Sequence, residues 1–362
     1  MNTLAIVAMR EGTGKTAITV GLGLLAQQRE LRVGYMKPKG TRLQSRVGKV
    51  HDRDPVLATE ILGIDEDLAD LEPIVYSPTF IQNAVRGHEI DTELRERVRD
   101  AFTALADSQD VMLLEGAGHL AIGAVVDLTD PEIASMLDAR VVLVAEFDAL
   151  EDLDNILRAT REIGDALVGV IFNRVHQRQV KSLEQDAIPF LENRDVPVLG
   201  IIQHDRELAG VTVSELADEL GAVTLTEAGS DDYVDQFLVA AMGPDEAFRQ
   251  FRRTRNAAVV TGGDRSEIHS AAIEAPGVSC LIVTGSFRPP TPILNRAEKR
   301  GLAVMAVNAD TLTTVERAEG IVRSGRTQDV DTVQTMAEYL DRHVEVDKLL
   351  DTADNFEPHS RE

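Results

Sequence analysis

The segment Gly12-Thr13-Gly14-Lys15-Thr16 constrains the fold of this chain more than any other feature of its sequence. It follows a short apolar run, Leu4 to Ala8, and precedes a helix-like stretch, Ala17 to Gln28. The glycines let the backbone turn so that consecutive amides point into one concavity at a helix N-terminus, which stabilises phosphate. Lys15 can reach nucleotide phosphates, and the Thr16 hydroxyl can ligate Mg²⁺. The motif therefore predicts a phosphate-binding loop between a strand and a helix.

The match to the standard phosphate-binding pattern is incomplete. That pattern has a glycine six positions before the lysine, where this chain has Met9, and the longer variant would place it at Ala8. The order of strand, Gly-x-Gly-Lys-Thr and helix is intact. The alternative interpretation is an ordinary glycine-rich turn that carries a solvated lysine.

Apolar runs alternate with helix-like segments through the first half of the chain. The predicted strands are Leu4–Ala8, Val33–Met36, Val111–Leu114, Val141–Ala145, Val168–Phe172 and Val198–Ile202. The predicted helices include Ala17–Gln28, Thr92–Ala106, Leu153–Ile163 and Val180–Glu192. Continuous apolar strands separated by helices are typical of a parallel sheet covered on both faces. The sequence thus predicts an α/β fold of the P-loop NTPase type, with ligands at the carboxyl ends of the strands.

A second, smaller α/β unit follows a break near His204–Gly210. It is expected to run from Thr212 to about Gly325, and its predicted strands are Ala257–Thr261, Ser279–Thr284 and Leu302–Asn308. We therefore expect domains at residues 1–205 and 212–325. Residues 326–362 are expected to form a C-terminal helix and a disordered tail.

Composition excludes several classes of protein. Acidic residues exceed basic ones by 61 − 37 = 24, which argues against a nucleic-acid partner. The 30 Arg against 7 Lys on so acidic a chain suggest adaptation to high salt, with an acidic mesophilic protein as the alternative. Cys280 is the one cysteine, as expected in a reducing cytoplasm. No apolar run approaches the ~20 residues that a membrane span needs.

Three further segments carry side chains suited to nucleotide chemistry. Glu115 ends an apolar strand and can lie beside the Mg²⁺ held by Thr16, or it can simply cap a strand end. Lys37 follows the second strand and is aimed at the same cleft, or it is a solvated loop lysine. Asp54 is the preferred second metal-side group over Asp52, or it is a helix-entry Asp before Pro55, and both interpretations can hold together.

Two other polar residues are weaker candidates. Asn173 ends the fifth predicted strand, where its amide suits the edge of adenine or serves an ordinary turn. His119, beside the turn Gly116-Ala-Gly118, can touch substrate, and a structural role is the favoured reading. The sequence contains no Cys/His cluster with zinc-ligand spacing.

These residues together resemble the dethiobiotin synthetase and cobyrinate amidase group of P-loop proteins. The motifs Lys37-Pro38, Ser77-Pro78, Glu115-Gly-Ala-Gly118, Asn173 and Pro197-Val-Leu-Gly200 occur in that group's order over residues 2–205. The resemblance implies that ATP and Mg²⁺ are held by Lys15, Thr16, Asp54 and Glu115, with Asn173 near adenine. It also implies that Lys37 helps to hold a carbamate. Gln203 and His119 depart from the pattern, which puts a biotin-pathway substrate in doubt.

Residues 212–325 resemble a DRTGG domain. Thr261-Gly-Gly-Asp-Arg-Ser266, Thr284-Gly285 and Asp310-Thr311 carry this match. The two domains in this order are similar to the N-terminal region of long phosphotransacetylases, whose acetyl-transferring domain has no counterpart in this sequence. The resemblance implies adenine-nucleotide sensing within a homodimer. Arg10 lies where one branch of P-loop ATPases has a lysine that crosses a dimer interface.

Three functions are compatible with this sequence. The first is an ATP-binding regulator whose partner is a separate phosphotransacetylase chain. The second is an ATP-dependent ligase, with Lys37 and Lys15 as catalytic residues and with Lys37 and Lys39 holding a carboxylate or carbamate. The third is an inert scaffold with a decayed nucleotide site. We expect no nucleic-acid or membrane partner in any of these cases.

Overall fold

A computed structural model describes residues 1–46, 49–89, 91–205, 208, 210–324 and 330–351. The described chain divides into two units, residues 1–204 with 327–362 and residues 205–326. Residues 352–362, which belong to the expected tail, lie outside the described residues. No helix among the described residues has the length and apolar character that crossing a bilayer requires.

The first unit is built on a six-stranded parallel sheet. Its strands are β1 (Asn2–Ala8), β2 (Val33–Met36), β7 (Val111–Glu115), β8 (Arg140–Ala145), β9 (Leu167–Val175) and β10 (Val198–Gln203). Two small two-stranded sheets lie outside this sheet. One pairs β3 (Lys39–Gly40) with β6 (Ile74–Val75). The other pairs β4 (Leu43–Arg46) with β5 (Lys49–Asp52). The sheet order β10-β9-β8-β1-β7-β2 places β1 between β7 and β8. Every residue of β1 is buried, because helices cover both faces of the sheet.

Helices of the first unit connect successive strands. They are α1 (Lys15–Gln28), α2 (Arg53–Leu62), α3 (Leu68–Leu71), α4 (Pro78–Val85), α5 (Asp91–Ala106), α6 (Asp130–Met136), α7 (Asp152–Ile163), α8 (Gln177–Ser182) and α9 (Ile188–Glu192). The predicted helix Val180–Glu192 is interrupted by a π-helical turn, Leu183–Ala187. Pro189 explains this difference, since it lacks an N–H and its ring crowds the carbonyl four residues earlier.

The second unit contains a five-stranded sheet in the order β12-β17-β16-β15-β14. Its strands β14 to β17 are parallel, and β12 pairs with β17 in the antiparallel direction. The strands of this unit are β11 (Val211–Thr212), β12 (Val223–Thr224), β13 (Tyr233–Val234), β14 (Gln236–Val239), β15 (Ala257–Gly262), β16 (Val278–Thr284) and β17 (Ala303–Ala306). The helices are α10 (Val213–Leu220), α11 (Pro244–Phe251), α12 (Ser266–Glu274), α13 (Thr291–Arg300) and α14 (Thr311–Ser324).

The end of the described chain returns to the first unit. Helices α15 (Val330–His343) and α16 (Val346–Leu350) follow the second unit in sequence. Helix α15 packs on α1, where a Cβ at Gly21 would lie 3.1 Å from Leu340 Cδ1. Asn2 Nδ2 donates a hydrogen bond of 2.7 Å to the Leu349 carbonyl. These contacts join residues 330–350 to the P-loop unit.

The predicted parallel sheet of the first unit is confirmed, and the three strands predicted for the second unit are present among the strands of its mixed sheet. A parallel sheet with helices on its two faces forms the first unit, and a smaller α/β unit follows it. Since β1 and β7 are neighbours, the turns that follow them meet at the carboxyl edge of the sheet. This edge positions the site described next.

Candidate functional site

The turn between β1 and α1 has the backbone conformation of a phosphate cradle. Gly12 and Gly14 adopt φ values of +74° and +87°, in the left-handed region that favours glycine. A Cβ at Gly14 would also lie 2.5 Å from Asn173 Nδ2, so both conformation and space require glycine there. Gly14 immediately precedes α1, and no described side chain caps this helix. Its first amides are therefore available to an anion.

The two polar side chains that open α1 are buried and held by the neighbouring strand. Lys15 Nζ donates to the Gly118 carbonyl at 3.0 Å, and Thr16 Oγ1 donates to Glu115 Oε1 at 2.6 Å. Burial lowers the pKa of Lys15 from its ordinary value, and the opposing charge of Glu115 only partly offsets this. The loop is thus held against the end of β7 and the turn that follows it.

Glu115 connects the loop to the second strand of the sheet. Its Oε1 accepts from Thr16, and its Oε2 accepts from the Tyr35 hydroxyl at 2.8 Å. Burial, together with the nearby charge of Asp54, raises the pKa of Glu115 to about 7. A cation placed beside this carboxylate would remove much of the cost of ionising it.

Lys37 is the positive centre of a buried charged cluster. Its ammonium contacts the Asp54 carboxylate and lies 3.1 Å from Asp52 Oδ2 and 3.8 Å from Glu115 Oε1. Burial disfavours the charged form, but Asp54, Glu115 and Asp52 more than offset it and hold the pKa of Lys37 above its usual range. Lys37 is therefore not the solvated loop lysine of the alternative reading, since its side chain is only 3% exposed.

Asp52 and Asp54 have different partners, although they are two residues apart. Asp52 caps α2, because its Oδ1 accepts from Asp54 N at 2.9 Å and its Oδ2 from the amides of Thr41 and Arg42 at 2.7 Å each. Asp54 Oδ1 lies 3.1 Å from Arg42 Nη1, and its other oxygen contacts Lys37. Burial opposes the charge of Asp54, yet these two cations lower its pKa. Among the described contacts, the Asp54 oxygens pair with side chains, whereas the Asp52 oxygens also accept from backbone amides.

Asn173 lies under the loop. Its Nδ2 donates to the Thr13 carbonyl at 2.7 Å, and its side chain is buried. The amide nitrogen therefore supports the loop backbone, and a contact with adenine stays a prediction. Thr13 Oγ1 is buried without a hydrogen-bond partner in the described protein. His119 is exposed at the rim, and Arg10 lies 3.6 Å from Asp152.

The sequence predicts that Lys39 holds a substrate carboxylate or carbamate, but acceptors of the protein itself surround its ammonium group. Its ammonium lies 2.9 Å from Asp130 Oδ1, donates to the Ile122 carbonyl at 2.6 Å and also contacts the Leu128 carbonyl. These three acceptors match the three protons of an ammonium group. Lys39 thus holds the segment after β7 in place.

Sequence reasoning missed four residues of this region. Tyr35, Arg42 and Asp130 contact Glu115, Asp54 and Lys39 as described above. The fourth, Glu72, accepts from Asp52 N at 2.7 Å through Oε2, while its buried Oε1 has no hydrogen-bond partner among the residues that the structure describes. Burial raises the pKa of Glu72 to about 7. The strand position of Tyr35, one residue before Met36-Lys37, was a signal that its side chain could face the cluster, but Glu72 lies in a loop with no such signal.

The donors at the carboxyl edge of β1 and β7 fit a magnesium ion. Thr16, Asp54 and Glu115 supply a hydroxyl and two carboxylates, all hard oxygen donors. In the described part of the chain, no three His, Cys, Asp or Glu side chains form a metal-binding group. Mg²⁺ does not need such a group, because phosphate oxygens and water commonly complete its six ligands.

In the second unit, the charged residue Arg265 follows the glycine-rich turn Gly262-Gly263, and its partners are backbone carbonyls. Arg265 donates to the Met242 carbonyl at 2.7 Å and also contacts the Ala240 carbonyl. A Cβ at Gly262 would lie 2.8 Å from Asp264 Oδ1. In the described structure, main-chain carbonyls thus anchor Arg265.

Comparison with family models gives two matches. An AAA domain matches residues 2–212, and a DRTGG domain matches residues 215–321. The predicted order of a P-loop domain followed by a DRTGG domain is therefore confirmed.

Curated relatives include two phosphate acetyltransferases. Those of Pseudomonas putida KT2440 and Pseudomonas aeruginosa PAO1 are 25% and 22% identical to this chain over 95% and 96% of its length. The chain spans about half the length of these relatives, 51% and 52%. A cobyric acid synthase of Listeria innocua is 30% identical over 53% of this chain and 42% of that protein.

Solved structures give more distant matches. MinD of Aquifex aeolicus has a TM-score of 0.36 at 15% identity, over 57% of this chain and 84% of that one. The CBS and DRTGG domains of Clostridium perfringens pyrophosphatase have a TM-score of 0.28 at 22% identity, over 39% of this chain and 70% of that one.

Proposed function

This chain belongs to the AAA domain family, and we propose that its first unit binds Mg-ATP and that the chain acts as a nucleotide-dependent regulator. One observation carries the proposal. The left-handed Gly14 opens an uncapped helix whose next two side chains, Lys15 and Thr16, are buried beside Glu115. Such a loop places amides, an ammonium group and a hydroxyl around one phosphate-sized position.

Each group of the nucleotide has candidate partners. The amides of Gly12, Thr13 and Gly14, the first amides of α1 and the Lys15 ammonium would hold the phosphates. Thr16, Asp54 and Glu115 would hold Mg²⁺, which when bound neutralises phosphate charge. Asn173, which supports the loop at Thr13, remains the candidate for an adenine contact through its carbonyl oxygen.

The regulatory role is inferred from the presence of a P-loop domain and a DRTGG domain in one chain. The relatives that match 95% of this chain are phosphate acetyltransferases. We infer that the partner is a separate phosphotransacetylase chain, that the DRTGG unit transmits the nucleotide state, and that the protein is a homodimer of the cytoplasm. Adding this protein with Mg-ATP should change the acetyl-transfer rate of that enzyme. An unchanged rate, together with no association in a pull-down, would contradict the regulatory role.

A ligase is the second candidate, and the Lys37 cluster favours it. A buried ammonium close to the phosphate loop can hold a carboxylate substrate while ATP phosphorylates it and an amine displaces the phosphate. The cobyric acid synthase relative is consistent with this chemistry. Lys39 is held by Asp130 and two carbonyls, so the role rests on Lys15 and on Lys37, which would exchange one of its three carboxylate partners for the substrate. ADP release that depends on a small carboxylic acid would support the ligase over the regulator.

The variant Gly14→Ala tests nucleotide binding. It introduces both a left-handed non-glycine residue and a clash with Asn173, so we expect loss of Mg-ATP binding and destabilisation of about 1–3 kcal/mol. In the wild type, ATP at about 100 times its dissociation constant should add about 2.7 kcal/mol of stability. Calorimetry and thermal unfolding at low and molar KCl measure both effects.

Gly63→Ala is the matched control. Gly63 also has a left-handed φ, of +67°, but no atom lies within 4 Å of the position that a methyl group would take there, and it ends α2 away from the loop. We expect it to lose some stability and to keep the full Mg-ATP shift. A folded wild-type protein that gives no heat with ATP or GTP would overturn the proposal and leave the inert scaffold.

A further inference from the structure

The carboxylates suited to Mg²⁺ already hold a cation of the protein. Lys37 Nζ contacts the Asp54 carboxylate and lies 3.8 Å from Glu115 Oε1. Both are also candidate magnesium ligands, so the lysine and the metal would draw on the same oxygen atoms. The side chains of all three residues are at most 5% exposed.

Cations of the protein itself offset much of the negative charge of this cluster. Three cationic side chains, Lys15, Lys37 and Arg42, face three carboxylates, Asp52, Asp54 and Glu115. A divalent cation beside Asp54 would lie close to the Lys37 ammonium in a buried region, where like charges repel strongly. Binding of the free metal must therefore overcome this repulsion, whereas the phosphates of a nucleotide would bring negative charge that offsets it.

Asp52 is the third carboxylate beside Lys37. Its Oδ2 lies 3.1 Å from Lys37 Nζ and accepts from the Thr41 amide, while its Oδ1 caps α2 by accepting from Asp54 N. Lys37 can consequently give up Asp54 and Glu115 without becoming an unpaired buried charge, which would be costly.

We propose that Lys37 is the resident counter-ion of the magnesium position and competes with the divalent cation for Asp54 and Glu115. This makes metal binding conditional on nucleotide, because only the nucleotide phosphates supply the charge and ligands that let the metal displace Lys37. The inference rests on the proposed Mg-ATP site and adds to it a control on when the metal enters.

Metal affinity in the absence of nucleotide tests the proposal. Mn²⁺, a probe that takes the same oxygen ligands, is titrated by calorimetry into the full chain and into Lys37→Met. We expect Lys37→Met to bind Mn²⁺ at least tenfold more tightly than the wild type. Lys37→Arg keeps the charge and should remain as weak as the wild type. Lys348→Met removes one exposed positive charge from the same unit, and controls for the general attraction of a more acidic protein.

A second measurement covers the case in which Lys37→Met does not fold. In the wild type, acylation of lysines is followed by peptide mass spectrometry as Mg-ATP is added. Lys37 is buried and paired in the free protein, so its labelling should start low and rise at the Mg-ATP concentration that saturates the site, as Asp54 and Glu115 are given up, but not with ATP and a chelator. Lys39, held by Asp130, should show no change in either condition.

The outcomes separate this inference from the proposed function. Equal Mn²⁺ affinity in the wild type and Lys37→Met overturns the counter-ion role, even where both chains bind Mg-ATP. Unchanged Lys37 labelling on Mg-ATP binding overturns it too. Failure of the wild type to bind Mg-ATP overturns the proposed function instead, and the Mn²⁺ titration still reports on Lys37.

Discussion

The two units of this chain each have a sheet of mainly parallel strands with a glycine-rich turn at the carboxyl end of one strand, but the charged residues beside those turns have different partners. In the first unit Lys37 is surrounded by the carboxylates of Asp52, Asp54 and Glu115. In the second, Arg265 donates to the main-chain carbonyls of Ala240 and Met242. A glycine-rich turn after a parallel strand is therefore common to both units, and what distinguishes the first is buried charge paired with buried charge.

This difference has an energetic consequence. A buried ion pair loses the hydration of both ions, and its mutual attraction often does no more than offset that loss. A guanidinium that donates to carbonyls is anchored without any buried carboxylate. The first unit therefore keeps an arrangement that a purely structural turn does not need, which favours a ligand-binding role for its edge.

The largest effect that would sharpen this comparison is expected from Asp54→Ala. It leaves Lys37 and Arg42 without their shared carboxylate, and breaking a buried pair typically costs about 3–5 kcal/mol. The counterpart in the second unit, Arg265→Ala, removes hydrogen bonds from a charged donor to two carbonyls and should cost about 1.5–3 kcal/mol. Denaturant unfolding of both variants measures the two losses.

The same variants also differ in their effect on the ligand. Asp54→Ala should weaken Mg-ATP binding more than it weakens binding of ATP with a chelator, whereas Arg265→Ala should leave both unchanged. Equal losses of stability in the two variants, with Mg-ATP binding intact in both, would remove the distinction between the two edges.

The sequence predicted the frameworks of both units well. Continuous apolar runs such as Val141–Ala145 leave a buried strand as the simplest interpretation, and the structure has β8 at Arg140–Ala145. The short spacing of Gly12, Gly14, Lys15 and Thr16 predicted the local geometry of the loop, because all of it is formed by neighbours in sequence. The main deviation, the π-helical turn Leu183–Ala187, depends on Pro189 and on packing around it.

The partners of charged side chains could not be predicted in the same way. Asp52 and Asp54 have the same chemistry, yet Asp52 accepts from the amides of Asp54, Thr41 and Arg42, whereas Asp54 pairs with the Lys37 and Arg42 side chains. Lys39 resembled Lys37 in sequence, yet it pairs with Asp130, which is 91 residues away in the chain. Such contacts depend on the tertiary arrangement of loops, which neither periodicity nor local motifs encode.

Changing the pH should alter the free energy of unfolding by a smaller amount, and the change should have opposite signs in the two units. Burial raises the pKa of Glu72 in the first unit to about 7, so its folded form retains a proton that the unfolded chain loses above about pH 4.5. Stability from this group is present below pH 4.5 and is lost as pH rises through 7. Burial lowers the pKa of His269 in the second unit, so its contribution is present above about 6.5 and is lost as pH falls.

Paired substitutions isolate these two contributions. Glu72→Gln should gain stability relative to the wild type between pH 5.5 and 8, by at most about 2 kcal/mol, since one proton corresponds to about 1.4 kcal/mol per pH unit. His269→Gln should gain stability relative to the wild type as the pH falls from 8 to 5.5. Urea unfolding at both pH values gives the two differences. Changes of the same sign in both variants would contradict the burial argument for one of the units.

The smallest expected loss of stability comes from removing a helix cap, and it should be the same in the two units. Helix α6 of the first unit and helix α10 of the second both begin with a capping box, in which a threonine and a glutamate three residues later bond to each other's amides. Thr129 N donates to Glu132 Oε2 at 2.7 Å, and Thr212 N donates to Glu215 Oε2 at 2.8 Å. Thr129→Ala and Thr212→Ala should each cost about 1 kcal/mol in denaturant unfolding and leave Mg-ATP binding unchanged. A markedly larger loss for Thr129→Ala, with weaker Mg-ATP binding, would mean that α6 also supports the charged edge through Asp130 and Lys39, so that the two frameworks are not equivalent.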